Sequence, residues 1–274
     1  MVNKMKTKIL ILATTILSFT FTACNINLDD PYYFDTTPPS PPTGVYALNG
    51  DNVVDLSWDP NYEDDIAGYN VYYSYSYQGK YTLIGTTKGT YFVDNGAVNG
   101  TTFYYAVAAF DYNGNESELS YDVVYSTPRP EGFNQSILDY RNFPDQGGYS
   151  FTTYSPIAYD DAESDFFFEN YNGTFYLDVW DDSEIQDVGS TLDIYDIPYA
   201  PLSGWSSTKD AIAKIGHTYV IWTWDNHFAK IRVKSITSSK ISFDWAFQLV
   251  EGNRELKTKQ AAKQRAPRTS KISR

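Results

Sequence analysis

One cysteine, two histidines and two methionines are all that 274 residues contain of those types. A single cysteine cannot close a disulfide within the chain. Two histidines far apart in the expected hairpin cannot clamp one metal together, and with a single cysteine they make Ser/His/Asp and Cys/His machinery unexpected. No Walker loop, His-Glu-x-x-His, Gly-x-Ser-x-Gly or Cys-x-x-Cys occurs, and neither does Arg-Gly-Asp. Basic charge is scarce in the body. The net charge is −13, but residues 1–24 carry +3 and residues 251–274 carry +6, so the stretch 25–250 stands at −22. An acidic surface of that size repels a phosphate backbone, which excludes nucleic acid as a partner.

Aromatic residues are abundant instead. They make up 17% of the chain, with 25 tyrosines, and such side chains suit half-buried pleated surfaces. The expected fold class is all-β.

The first 24 residues, MVNKMKTKILILATTILSFTFTAC, combine three lysines, an apolar run and Thr-Ala-Cys. That is the plan of a secretory signal peptide, and the run is shorter than the roughly 20 residues a spanning helix needs. FTAC resembles the lipobox of bacterial lipoproteins, with Phe21 where Leu is usual. The resemblance implies cleavage after residue 23 and lipidation of Cys24, hence a membrane partner and a place in the cell envelope. Asn25 in place of Asp is compatible with the outer membrane. Residues 24–42, rich in proline at their end, read as a stiff tether.

From 43 to 128, short alternating runs recur between Gly, Asn and Asp. Among them are VVDLSW, GYNVYYS, YTLIGTT, TYFVD and TFYYAVAAFD. With PPTGVYA before and GNES after, this stretch resembles a fibronectin type III domain. The resemblance implies a two-sheet sandwich with Trp58 in its core. It also puts Phe103 where the family has its corner tyrosine, at the loss of one hydrogen bond. Asp111, Asn113 and Asn115 copy part of a calcium-loop spacing, but with no flanking helices a polar turn is expected.

Residues 129–150 read as a linker and 151–250 as a second β domain. Asn172-Gly173 between two aromatic runs is a hairpin signal. DAIAKIG is a short helical candidate. Asp225-Asn226 reads as a two-residue hairpin turn inside GHTYVIWTWDNHFAKIRV. That register sets Trp224 against His227 and Trp222 against Ala229 on one apolar face. It leaves Lys230, Arg232 and Lys234 on the other. His217 and His227 fall on opposite faces, roughly 23 Å apart along strands rising ~3.3 Å per residue, so no metal or haem is clamped by both. GHTYVIWTWDNHFAKIRV with ISFDWAFQ also resembles the C-terminal strands of HmuY-type haem-binding lipoproteins. The resemblance implies a related β framework and makes haem capture one alternative. Residues 251–274 read as a disordered basic tail.

The remaining candidates are for binding. Trp180, Trp205 and Trp224 adjoin turns and suit stacking on sugar rings, or else anchor the core. Lys230 and Arg232 suit an anionic ligand group, or else guard a sheet from aggregation. His227 is read as a turn histidine on Trp224. Acid pairs such as Asp160-Asp161 and Asp181-Asp182 read as solvated loops. The expected function is non-catalytic binding or adhesion, toward an extracellular glycan or protein ligand and without a cofactor. An envelope glycan hydrolase is the alternative from another class. Substituting Cys24→Ser should abolish incorporation of labelled fatty acid and release the protein from membranes. A wild-type protein that never incorporates the label would remove the lipid anchor.

Overall fold

The computed structural model describes residues 35–256. The segment read as a signal peptide, Cys24 with most of the expected tether, and residues 257–274 of the expected tail lie outside the described residues. Alternation builds the first sandwich. Strands β1 (Tyr46–Asn49), β2 (Val54–Ser57) and β5 (Tyr91–Asp94) form one sheet in the order β1-β2-β5. The second sheet runs β4 (Thr82–Thr87), β3 (Ile66–Ser74), β6 (Phe103–Asp111), β7 (Val124–Ser126). Every pairing is antiparallel. The inward positions Val54, Leu56, Tyr69, Val71, Tyr105, Val107 and Ala109 close on Trp58. Trp58 meets Tyr69 edge-on at 5.4 Å. This is the expected fibronectin-like sandwich. Its corner hydroxyl comes from Tyr105, which donates to Asp94 Oδ2 at 2.8 Å, while Phe103 supplies packing alone. Asp111 caps its own turn by accepting from the backbone N–H groups of Asn113 and Asn115.

The second sandwich has two five-stranded sheets. One runs β10 (Ser155–Ile157), β9 (Gly148–Ser150), β11 (Phe166–Tyr171), β12 (Thr174–Asp178), β14 (Asp210–Ile212). The other runs β13 (Glu184–Ser190), β15 (His217–Trp222), β16 (Phe228–Ile236), β17 (Lys240–Gln248), β8 (Glu131–Leu138). Between them lies an aromatic core, with Phe151 stacked on Phe247 at 5.3 Å and Tyr149 edge-on to Phe243 at 5.2 Å. Asn172 and Gly173 both have positive φ, 52° and 85°, which the two-residue turn between β11 and β12 requires.

Four expectations change. The stretch 129–150 is no bare linker, because β8 pairs with β17 and buries Ile137 in the second core. DAIAKIG forms β14, since three residues pairing with β12 outweigh a helix too short to sustain itself. Residues 251–256 are not part of a disordered tail, since Glu255 and Leu256 are buried and Leu256 N–H donates to Pro198 O at 2.8 Å.

The fourth is the β15–β16 register. The loop is Trp224-Asp225-Asn226, three residues closed by Thr223 N–H to His227 O at 2.9 Å, with Asn226 at φ 64°. Trp222 therefore pairs with Phe228, Ile221 with Ala229 and Val220 with Lys230. Tyr219, Ile221, Ala229 and Ile231 enter the main core. Val220 and Phe228 turn to the other face, where Ala200, Leu256, Ile197 and Trp205 cover them. Trp222 lies on that face, 37% exposed, and not beside Ala229. With apolar residues on both faces, alternation does not choose between registers one residue apart.

Trp58→Ala should cost about 3–5 kcal/mol in chemical denaturation, the range for emptying a large aromatic site in a core. A loss below about 1 kcal/mol would place Trp58 outside the core.

Candidate functional site

Period two sends Phe166 and Phe168 of β11 into the core and Phe167 and Glu169 out. Just after β12 the chain turns at Trp180, with Ser183 N–H bonded to Trp180 O at 3.0 Å. Phe167 at 5.2 Å and Tyr159 at 6.3 Å back the indole. The β15–β16 loop brings Trp224 to the same end of the sandwich. A third loop is held by Asp161 N–H to Ala158 O and Ser164 N–H to Asp161 O. It adds Asp160, Asp161 and Glu163. Together with Ser164, Ala162 and Asp182 they wall a cleft of about 520 Å³. Trp180 and Trp224 are 40% and 54% exposed.

The cleft offers two aromatic walls and four carboxylates, and no lysine or arginine lines it. Asp165 is buried next to it and accepts the Phe151 N–H at 2.7 Å. Burial pushes its carboxyl up to about 7, and the charges of Asp225 and Glu163 add to the rise. His227 opposes that rise. Its Nδ1 lies 3.1 Å from Asp225 Oδ2, close enough to pair charges but not aligned as a hydrogen bond.

A second cleft of about 340 Å³ adjoins Trp180 from the outer face of β11 and β12. Tyr140, Phe167, Glu169, Asp178, Thr208 and Lys209 line it with Trp180. Glu169 Oε1 accepts from Arg141 at 2.5 Å and from the Tyr140 hydroxyl at 3.2 Å. Asp178 Oδ2 is buried with no hydrogen-bond partner among the described residues. Burial, then Glu169 and Asp210, push its carboxyl up to about 7 against Arg141. On the first sandwich, a cleft of about 400 Å³ around Pro41 and Asp59 also contains Glu63. That carboxylate is already committed to Ser40 N–H and Asn61, which hold it at about 2 in spite of partial burial.

The structure thus joins two of the sequence candidates, Trp180 and Trp224, and disperses the rest. Trp205 is half-buried on the far face, 6.0 Å from Trp222 and 6.5 Å from Phe228. Lys230 is 0% exposed and donates to Ile197 O at 2.8 Å. Arg232 donates to Thr191 O and Oγ1. The loop over that face consumes both cations, so they do not form an anion site. Lys234 pairs with Asp244 at 3.2 Å. His227 packs against Phe247 at 5.6 Å and not on Trp224. His217 holds Asp187 at 2.9 Å. About 17 Å of β15, at ~3.3 Å per residue, separates His217 from the loop that carries His227. The acid pairs beside Trp180 are what the sequence reading undervalued. Trp180-Asp181-Asp182 already places a carboxylate next to an aromatic ring.

No family model matches the chain. An amylopullulanase of Thermoanaerobacterium saccharolyticum is 41% identical over 100 residues, which is 36% of this chain and 8% of that protein. Exoglucanase B of Cellulomonas fimi is 36% identical over 95 residues, 34% of this chain and 8% of that enzyme. The chain therefore spans under a tenth of the length of these two relatives. The matches cover short segments of larger proteins. Among solved structures, a Fn3-like protein from Clostridium thermocellum is 29% identical. It aligns over 34% of this chain and 95% of its own length, with a TM-score of 0.28.

A carboxyl whose pKa is raised on folding stabilises the fold below its unfolded value of ~3.9, and that stabilisation is lost as pH rises through the folded value. The protein should therefore lose stability between about pH 4 and pH 7. Asp165→Asn keeps the acceptor for Phe151 and should remove Asp165's share of that loss, on the order of 4 kcal/mol at most. Urea melts across this pH range check it. Parallel profiles for the variant and the wild type would show that Asp165 is not the titrating group.

Proposed function

We propose that the protein is a non-catalytic glycan-binding module of the cell envelope, anchored by lipid on Cys24. The observation that carries this reading is the pairing of Trp180 and Trp224 in one acidic cleft. Indole faces stack on the apolar C–H faces of sugar rings, and carboxylates accept the sugar hydroxyls that point sideways. A pocket with a few convergent polar groups between aromatic walls is the usual form of a small-ligand site. The relatives support the same reading, since an amylopullulanase and an exoglucanase are named for acting on glucans. The fibronectin-like sandwich serves as a spacer between the anchor and the binding end. The signal sequence and FTAC support the envelope location.

Isothermal titration of the soluble Cys24→Ser protein against neutral glucan oligosaccharides tests the reading. Trp180→Ala and Trp224→Ala should each weaken binding by about tenfold, the size of one aromatic hot spot, with unchanged circular dichroism. Unchanged affinity in both variants would remove this cleft as the site.

A further inference from the structure

Trp180 is a wall of two clefts, and the second holds an unused polar group. Asp181 is exposed, and the other polar side chains that line the second cleft are committed. Glu169 is held by Arg141 and Tyr140. Lys209 donates to Glu184 Oε1 at 2.7 Å and to Ser183 O at 2.9 Å. Thr208 donates to Asp210 at 2.6 Å. Asp178 Oδ2 alone among them is buried without a hydrogen bond. Leaving a buried polar atom unpaired is costly, and such an atom calls for a specific account. Asp178 stands on β12 between Phe167 of β11 and Asp210 of β14, both directly opposite it. It therefore lies on the outer sheet face, beside the aromatic floor that continues to Trp180.

We propose that this cleft is a second sugar subsite, continuous around Trp180 with the first, and that the ligand is an extended, uncharged glycan chain. The proposal rests on the glycan-binding reading above. The lining of both clefts supplies the charge argument. Asp160, Asp161, Glu163 and Asp182 wall the first cleft, and Glu169, Asp178 and Asp181 the second. The one basic lining residue, Lys209, is tied to Glu184. An anionic sugar would meet a net negative lining in both clefts. Sugar hydroxyls both donate and accept, and a protonated Asp178 does the same. The charged and titratable groups around Asp178 are Glu169, Asp210, Asp181, Arg141, Lys209 and Tyr140. Burial, then the carboxylates of Glu169 and Asp210, keep the proton on Asp178 below about pH 7, against Arg141.

The test is isothermal titration of the full chain carrying Cys24→Ser. The probes are the malto-, cello- and xylo-oligosaccharide series from disaccharide upward, with oligogalacturonate as the anionic control. Affinity in one neutral series should rise with chain length beyond the disaccharide. Asp178→Ala should weaken the long oligomers about fivefold, the worth of one hydrogen bond, and leave the disaccharide unchanged. Trp224→Ala should weaken both. Asp178→Asn, which keeps shape and both hydrogen-bonding roles, should retain long-chain affinity and lose the decline that the wild type shows above pH 7. Affinity flat with length, equal losses at every length in Asp178→Ala, or tighter binding of oligogalacturonate would overturn the second subsite while leaving the first. Absence of binding to all three neutral series would overturn the glycan reading itself, and the second subsite with it.

Discussion

A guanidinium with no access to water sits where the first sandwich ends and the second begins. Arg129 is fully buried, its Nε donating to Leu256 O at 2.6 Å and its Nη1 to Glu131 at 3.1 Å. Its backbone N–H reaches Gly50 O in the first sandwich. Glu131 in turn accepts the Tyr195 hydroxyl at 2.7 Å. Burial pulls the arginine pKa down, and Glu131 opposes that. A buried charge deprived of its partner is strongly destabilising, so everything that supplies a partner must be in place. The guanidinium's partners come from the start of β8 and from Leu256, the loop around Tyr195 holds Glu131 in place, and the turn at Gly50 fixes the backbone of Arg129.

The same loop and the same segment close the outer face of β15 and β16. Lys230 bonds Ile197 O, Arg232 bonds Thr191, and Val220 and Phe228 pack under Ala200 and Leu256. That face is thereby withdrawn from ligand binding. Open surface remains at the end of the sandwich, where the turn after β12 and the β15–β16 loop emerge, and on the outer face of β11 and β12. Rigid sheets thus hold Trp180 and Trp224 on short loops, as is common for binding sites. The fibronectin-like fold hosts many roles and assigns none of this.

Legibility followed the local signals. The first sandwich was readable because its strands alternate cleanly between Gly, Asn and Asp turns, and Trp58 fell in the expected core. The β11–β12 turn was readable from Asn172-Gly173 alone. The β15–β16 loop was not, because Asp225-Asn226 fits a two-residue turn as well as the end of a three-residue one. With both sheet faces apolar, nothing in the alternation penalised the wrong choice. Lys230 looked like a surface cation for the same reason, since its cover comes from residues more than thirty positions earlier. Trp180 and Trp224 were each visible as turn tryptophans. Their meeting depends on the packing of two sheets.

The buried arginine also bears on how this protein could be cut, fused or shuffled. Its last strand closes at Gln248, and a gene fragment trimmed there would still encode every strand of both sandwiches. It would lack the carbonyl of Leu256. A fragment begun at β8, which opens at Glu131, would lose Arg129 itself and leave Glu131 without its buried partner. Two modules that read as separate domains in sequence are therefore joined like a mortise and tenon, and a transplantable unit must run past β17 to Leu256.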